Sequence, residues 1–325
     1  MMRPDIDKAV QLLRAGGLVG IPTETVYGLG ADAGNEAAIR KIFQAKERPH
    51  DHPLIVHVAS VEQLSDWARE IPPAALQLAK VFWPGPLTII LKKQPHVLDL
   101  VTGGQDTVGL RIPSHPVAHE LLKRFGRGVA APSANKFTHI SPTTAVAVQE
   151  ELGDRVDLIL DGGDCTVGLE STIIDMSGNA PVILRPGMIN SQAIANVLGA
   201  AVDVSRQDAP DLRAPGMHHL HYAPVTQTML MESKAIPALV ASLRPDDLPV
   251  ALVMHSQAHA EIDKRVHRVQ MPDDAAAYAH ELYRTLRELD HQQYRRIIVE
   301  TVPETAEWDA IRDRLSKASA ERNRR

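Results

Sequence analysis

Two cations one residue apart, stiffened by prolines, are the first groups in this chain that could do chemistry. Residues 46–57 read KERPHDHPLIVH: Lys46 and Arg48 precede Pro49 and Pro53, and an apolar run then ends on His57. Lysine as a point charge and arginine as a bidentate fork suit a polyphosphate, and the prolines lower the ordering cost of presenting them. A solvated charge cluster is the competing reading of any Lys-x-Arg. It is weakened here because the loop opens straight into a buried-looking strand. His57 shares one strand face with Ile55 and Ala59, where a histidine is more often a satisfied core residue than a ligand group.

Other polar groups stand at strand ends. PTETVYGLGADA (22–33) follows a strand and carries Thr23, Glu24, Thr25 and Tyr27 on a turn. Sheets of α/β proteins bind ligands at such places; a glycine-rich connection with self-satisfied hydroxyls is the alternative. TVGLRIP sets Arg111 inside an apolar strand. Arginine is seldom buried unpaired, so Arg111 needs either an anionic ligand, such as a small carboxylate, or an internal acid. AAPSAN (130–135) places Ser133 and Asn135 after small residues that let backbone amides approach a phosphate, although such clusters also mark ordinary turns. GLESTIID and VILRPG add Ser171 and Arg185 at strand edges, as site groups or as turn and surface residues. HHLHY (218–222) resembles a metal site at first sight, but it is irregular and has no carboxylate nearby. Tyr222 reads better as part of a lid over a neighbouring pocket.

Several nucleotide and hydrolase signatures are missing. The chain has no Gly-x-x-x-x-Gly-Lys-Ser/Thr loop, no Gly-x-Ser-x-Gly elbow and no His-Glu-x-x-His helix. Gly28, Gly30 and Gly34 are spaced wrongly for a dinucleotide fingerprint.

The elements that must position these groups predict an α/β fold: a twisted, mostly parallel or mixed sheet with flanking helices. GGLVGIPT is a strand running into a loop, ETVYGLGADAG, after which Asn35 caps a helix carrying Ile39, Ile42 and Phe43. PLIVHVA, LTIILKK, TVGLRIP, GVAAPSA, VDLILDGG, STIIDM and PVILRPG read as strands. PPAALQLAKVFW, HPVAHELLKRF and SPTTAVAVQEEL read as helices, the last with Ser141 as N-cap and Pro142 at the first helical position. Residues 203–225 lose all regular period, which marks a functional or linking segment. PVALVMH and RRIIVE, with the helices DDAAAYAHELYRTLRELD and AEWDAIRDRLSKASA, then form a smaller α/β, Rossmann-like domain. The expected division is 1–200 for the catalytic domain, 201–225 for a linker or lid, and 226–325 for the small domain.

Bulk properties narrow the function. A hydrophobic share of 44% and a charged share of 23% over 325 residues are those of a globular protein with room for two domains. Net charge of −5 and only 4% aromatic residues count against an RNA- or DNA-binding platform. The single cysteine, Cys165, excludes an internal disulfide or a cysteine-rich zinc site. No apolar run reaches a membrane-span length and the N-terminus lacks a signal-peptide core, so a cytoplasmic protein without membrane contact is expected.

Taken in order, PTETVYGLG, KERP, HPLIVH, WPGPLT, VGLRIP, APSAN, GLESTIID and ILRPG resemble the YrdC-like domain of L-threonylcarbamoyladenylate synthases over about residues 5–190. APGMHHLHYAP and the small domain are similar to the long, two-domain form. The resemblance implies that L-threonine, bicarbonate and ATP with Mg²⁺ give threonylcarbamoyl-AMP and pyrophosphate, with no tightly bound protein-ligated metal. A downstream tRNA threonylcarbamoyl transferase complex would then modify the adenosine beside the anticodon, and a weak tRNA contact by this chain is compatible with that place. It implies that Lys46 and Arg48 grip the phosphates opposite Ser133 and Asn135, as the catalytic set. Thr25, His57, Arg111, Ser171 and the backbone at Ala131 would hold threonine. Arg48, His52, Thr107, Ser133, Ser141, Arg185 and Tyr222 would line the ATP side. His52 departs from the family's usual Asn before Pro-Leu, yet histidine can also donate to a phosphate oxygen. Two readings remain beside this one: a carbamoyl-adenylate former, whose zinc-finger and acylphosphatase-like segments are absent here, and a non-catalytic RNA-binding YrdC-like protein.

Overall fold

The computed structural model describes residues 5–205, 214–217, 221–256 and 265–320. They divide into two compact units, one of Met1–Phe137 with Ser141–Met217, the other of Thr138–Ile140 with His218–Arg325. The first two histidines of HHLHY, His218 and His219, lie outside the described residues, as does 206–213 of the linker.

Among the described residues the first unit is built on an eleven-stranded sheet. Its strands are β1 Val19–Ile21, β2 Gly28–Asp32, β3 Ile55–His57, β4 Ala68–Arg69, β5 Leu87–Lys93, β6 Thr107–Arg111, β7 Val129–Ala130, β8 Leu158–Ile159, β9 Thr172–Asp175, β10 Val182–Arg185 and β11 Asp203–Val204. The order is β11-β10-β9-β5-β6-β3-β7-β2-β1-β8, with β4 paired to β5. Parallel pairs such as β3–β6 and β5–β9 stand beside antiparallel ones such as β5–β6 and β9–β10, so the sheet is mixed.

Alternation of side chains along each strand gives the sheet two different faces. One face presents Val56, Leu110, Ile89 and Ile174 to helices Glu36–Lys46, Pro73–Phe82, Ala145–Leu152 and Ser191–Leu198. On the other, helices Ile6–Arg14 and Pro116–Phe125 pack only toward the β1, β7 and β8 end. The rest of that face carries Ile55, Ile90, Ile173 and Leu184, and its cover is Ala214 and Met217 of the linker in place of a helix. An α/β sheet face without its helix is free to take a ligand, and His57, Thr107 and Arg111 of the residues singled out above lie on it.

Local chemistry explains the boundaries, and four differ from expectation. Asn35 caps its helix by accepting from the Ala38 N–H, and that helix runs to Lys46, so Lys46 is its last residue and not part of the following loop. Glu47 then turns the chain with a left-handed φ of 54°. GLGAD is strand β2 and not loop, because Gly28 closes a hairpin on Ile21 and residues 29–32 continue the pairing. Ser141 is not an N-cap: the helix begins at Ala145 under Thr144, while the Ser141 hydroxyl donates to Glu170 at 2.6 Å. The first two residues of the aperiodic 203–225 stretch extend the sheet as β11, parallel to β10.

The second unit holds a four-stranded parallel sheet in the order β12-β15-β13-β14, where β12 is Thr228–Met231, β13 Val250–Met254, β14 Val266–Gln270 and β15 Arg296–Glu300. Helices Ile236–Ser242, Ala275–His291 and Asp309–Ala318 accompany it. Buried Glu300 joins strand ends by accepting from the backbone of His255 and Ser256 and from the Ser256 hydroxyl. Thr138–Ile140 is tied into this unit: the Thr138 carbonyl accepts from Ala223 and the Ile140 carbonyl from Arg287.

Candidate active site

The cations of the 46–57 segment are buried, Lys46 to 1% exposure and Arg48 to 7%. The Lys46 ammonium donates to the backbone carbonyls of Ser133 and Asn135. Its pKa lies well below the ordinary lysine value, first because burial penalises the charged form and then because Arg48 is near; Glu151 and Glu170 act in the opposite direction. Arg48 donates to the Pro53 carbonyl at 2.9 Å, and its guanidinium lies 6.0 Å from the Phe137 ring centre. His52 meets the same ring edge-on at 5.2 Å. The 131–135 segment is held beside the turn after β1: Ser133 bridges Gly28, and Ala134 donates to the Tyr27 carbonyl. Ala131 donates to the carbonyl of Ile55.

A second polar group crosses the helix-free face as a row. His57 and Arg111 are direct partners in the parallel β3–β6 register. Thr88 precedes Ile89, whose partner on β6 is Leu110, so Thr88 follows on the other side of Arg111. Its hydroxyl and that of Ser171 are 2.7 Å apart. Arg185 donates to the Ser171 carbonyl and hydroxyl, and its third terminal contact, at 3.0 Å, is the carbonyl of Pro215 in the linker. Burial, followed by the charge of Arg111, pushes His57 down from 6.5 to about 3, so its imidazole is neutral at neutral pH.

Arg111 has an internal acid. Its terminal nitrogen pairs with Glu24 at 2.8 Å, both side chains being almost fully buried, and its Nε donates to the Gly85 carbonyl. The other Glu24 oxygen accepts from the Ser114 N–H. Thr25 lies in the same turn, its hydroxyl 2.9 Å from that of Thr23. Below the row, Ile55, Thr88, Ile90, Thr107, Gly109 and Ile173 line a small pocket under Pro215. Gly109 keeps its floor open, since a Cβ there would lie 3.3 Å from the Thr88 methyl.

Lys46, Arg48, Ser133 and Asn135 thus form one cluster, and His57, Arg111, Ser171 and Arg185 another, with Thr107 on the pocket wall. Ser141 stands with Glu170, whose charge reaches Lys46. Tyr222 belongs to the second unit, buried against Tyr283 at 5.8 Å and under the Arg314 guanidinium at 5.1 Å. Sequence reasoning missed Thr88 and Glu170, and named Glu24 only as one polar group of its turn. Thr88 had a legible signal, a lone hydroxyl within the apolar run LTIIL. Pairing Glu24 with Arg111 needs the sheet register, because 87 positions separate them in the chain. Among the described residues no three metal-binding side chains converge, and no helix is long and apolar enough to cross a membrane.

Known proteins resemble the chain over both of its parts. Residues 11–187 match the Sua5–YciO–YrdC family model, described as "Telomere recombination". Residues 189–320 match "Threonylcarbamoyl-AMP synthase, C-terminal domain". The chain is 39% identical to a threonylcarbamoyl-AMP synthase of Pyrococcus abyssi over 97% of its own length and 94% of that protein's. It is also 39% identical to that of Bacillus subtilis, over 98% and 94%. The crystal structure of P. abyssi Sua5 complexed with L-threonine superposes with a TM-score of 0.90 at 39% identity, covering 97% of this chain and 94% of that one. With family models on both parts and relatives matched nearly end to end, the chain belongs to the threonylcarbamoyl-AMP synthases, in their long, two-domain Sua5 form.

Proposed function

We propose that this site makes threonylcarbamoyl-AMP and pyrophosphate from L-threonine, bicarbonate and MgATP, as a nucleotidyltransferase. The observation that carries the reading is the pair of buried cations. Lys46 and Arg48 sit together at 1% and 7% exposure, with backbone carbonyls as the direct hydrogen-bond acceptors described above. Two adjacent buried cations raise each other's cost, and a triphosphate relieves both.

Lys46 and Arg48 grip the phosphates opposite Ser133 and Asn135, with His52, Thr107, Ser141, Arg185 and Tyr222 on the ATP side. Mg²⁺ would enter as part of the MgATP substrate and would supply charge neutralisation on the phosphates beside Lys46 and Arg48. Thr25, His57, Arg111, Ser171 and the backbone at Ala131 hold threonine, Arg111 on its carboxylate. Neutral His57 offers the amino group an acceptor without adding charge. The threonine nitrogen forms its new C–N bond to the bicarbonate carbon with loss of water, and the carbamate oxygen then attacks the α-phosphorus. The bond from that phosphorus to the β-phosphate bridging oxygen breaks, and pyrophosphate leaves with the electron pair. Positioning and charge neutralisation are what such a phosphoryl centre asks of a protein.

The product passes to a tRNA threonylcarbamoyl transferase complex in the cytoplasm, which modifies the adenosine beside the anticodon. The test is the mass of what accumulates when the purified chain is given all three substrates. A nucleotide with the mass of threonylcarbamoyl-AMP is expected; AMP or ADP alone would sink the reading.

A further inference from the structure

The buried Glu24–Arg111 pair has a role in the reaction beyond holding the sheet together. Arg111 is held on two sides: its terminal nitrogen pairs with Glu24 at 2.8 Å and its Nε meets the Gly85 carbonyl at 3.3 Å. Glu24 is fixed in turn, because its second oxygen accepts from the Ser114 N–H at 3.1 Å. Each contact comes from a different part of the unit. Glu24 belongs to the 22–27 turn that also carries Thr25, Gly85 to the Pro84–Pro86 turn, and Ser114 to the stretch after β6. The plane and reach of the Arg111 fork are therefore set by three converging loops, while His57 stands beside it in register on β3.

A carboxylate in this position does two things. It holds the guanidinium in place and offsets the cost of burying its charge at 4% exposure. It also balances the Arg111 charge across a 2.8 Å ion pair. We infer that Glu24 is a positioning residue for threonine recognition: it acts through Arg111, orienting the guanidinium so that it meets the amino acid's carboxylate in the geometry that places the amino group for carbamoylation. This inference rests on the proposed function and adds a residue to its threonine side.

The experiment uses the full chain and reads pyrophosphate release with threonine and ATP varied separately. Glu24→Gln, which keeps the shape and removes the charge, is expected to raise KM for threonine about tenfold or more while KM for ATP stays within about twofold. Glu24→Asp keeps the charge but withdraws it by one methylene, and a smaller rise, of about threefold, is expected from it. This variant also serves if Glu24→Gln does not fold. A positioning role makes one demand that a structural role does not. In an Arg111→Lys background, where the fork is already lost, Glu24→Gln adds less than about twofold to KM for threonine.

Folded Glu24→Gln with an unchanged KM for threonine would overturn the inference. So would an equal rise in both KM values, or the same rise in the Arg111→Lys background as in the wild type. If the Asp variant alone folds, wild-type kinetics in it would do the same. Wild-type chain with no threonine-dependent release would instead bring down the proposed function itself, so the two failures are told apart by the wild-type control.

Discussion

His57 is buried beside Arg111 on one sheet face, and its burial couples the stability of the fold to pH. The folded-state pKa of His57 is about 3 against 6.5 when unperturbed, owing first to burial and then to Arg111. As pH falls, the unfolded chain takes up this proton first, so the unfolded state gains. The stability contribution is therefore intact above about pH 6.5 and is lost progressively toward pH 3. His57→Gln removes this linkage, and its melting temperature should fall less than that of the wild type between about pH 7 and about pH 5. Parallel declines would mean that other groups dominate. Residue types in the sequence were enough to say that Lys46, Arg48 and Arg111 call for anions. They could not say that Arg111 already has one in Glu24, because ion pairing depends on tertiary register and not on spacing.

At the level of elements, the loop that carries Arg48 and His52 is braced from outside. Leu54 donates to the Val101 carbonyl, and Gly103 sits against the loop with a φ of +61°. A Cβ at Gly103 would lie 2.4 Å from the Asp51 carbonyl oxygen, closer than side chains come to backbone. Gly103→Ala should therefore destabilise the chain by about 1–3 kcal/mol and raise KM for ATP, although position 103 touches no substrate. Thermal melts with ATP kinetics check this, and a variant with wild-type values of both would refute it. Helix Glu36–Lys46 was legible from its Asn35 cap and apolar period, and strands such as LTIILKK from their β-branched runs. The end of that helix and strand β2 were not. Lys46 continues a helical pattern that the following prolines mask, and GLGAD lacks the side chains that normally announce a strand.

For the whole molecule, the two units divide after Met217, and the exchange is not a clean cut. Ala214 and Met217 pack on the helix-free sheet face of the first unit, while Thr138–Ile140, bounded on both sides by first-unit sequence, is tied to the second. Tyr222, proposed on the ATP side, is buried within the second unit against Tyr283 and Arg314. A chain ending at Ser205 retains the eleven-stranded sheet and its helices, so it should unfold cooperatively but show a KM for ATP at least about tenfold higher than the full chain. Unchanged ATP kinetics in that truncation would show that the linker and second unit serve something other than this reaction. The two α/β parts were legible because their hydrophobic periods are regular. The tie between Thr138–Ile140 and the second unit was not, since the contacts to Ala223 and to the Arg287 side chain are made to backbone carbonyls, which leave no mark on composition.

The most direct test of the central claim is pyrophosphate release by the purified full chain with ATP and Mg²⁺, omitting threonine and bicarbonate in turn. The account predicts release that needs all three substrates, with serine a poor replacement for threonine. Release that proceeds equally without threonine, or none at all from folded protein that binds ATP, would contradict it.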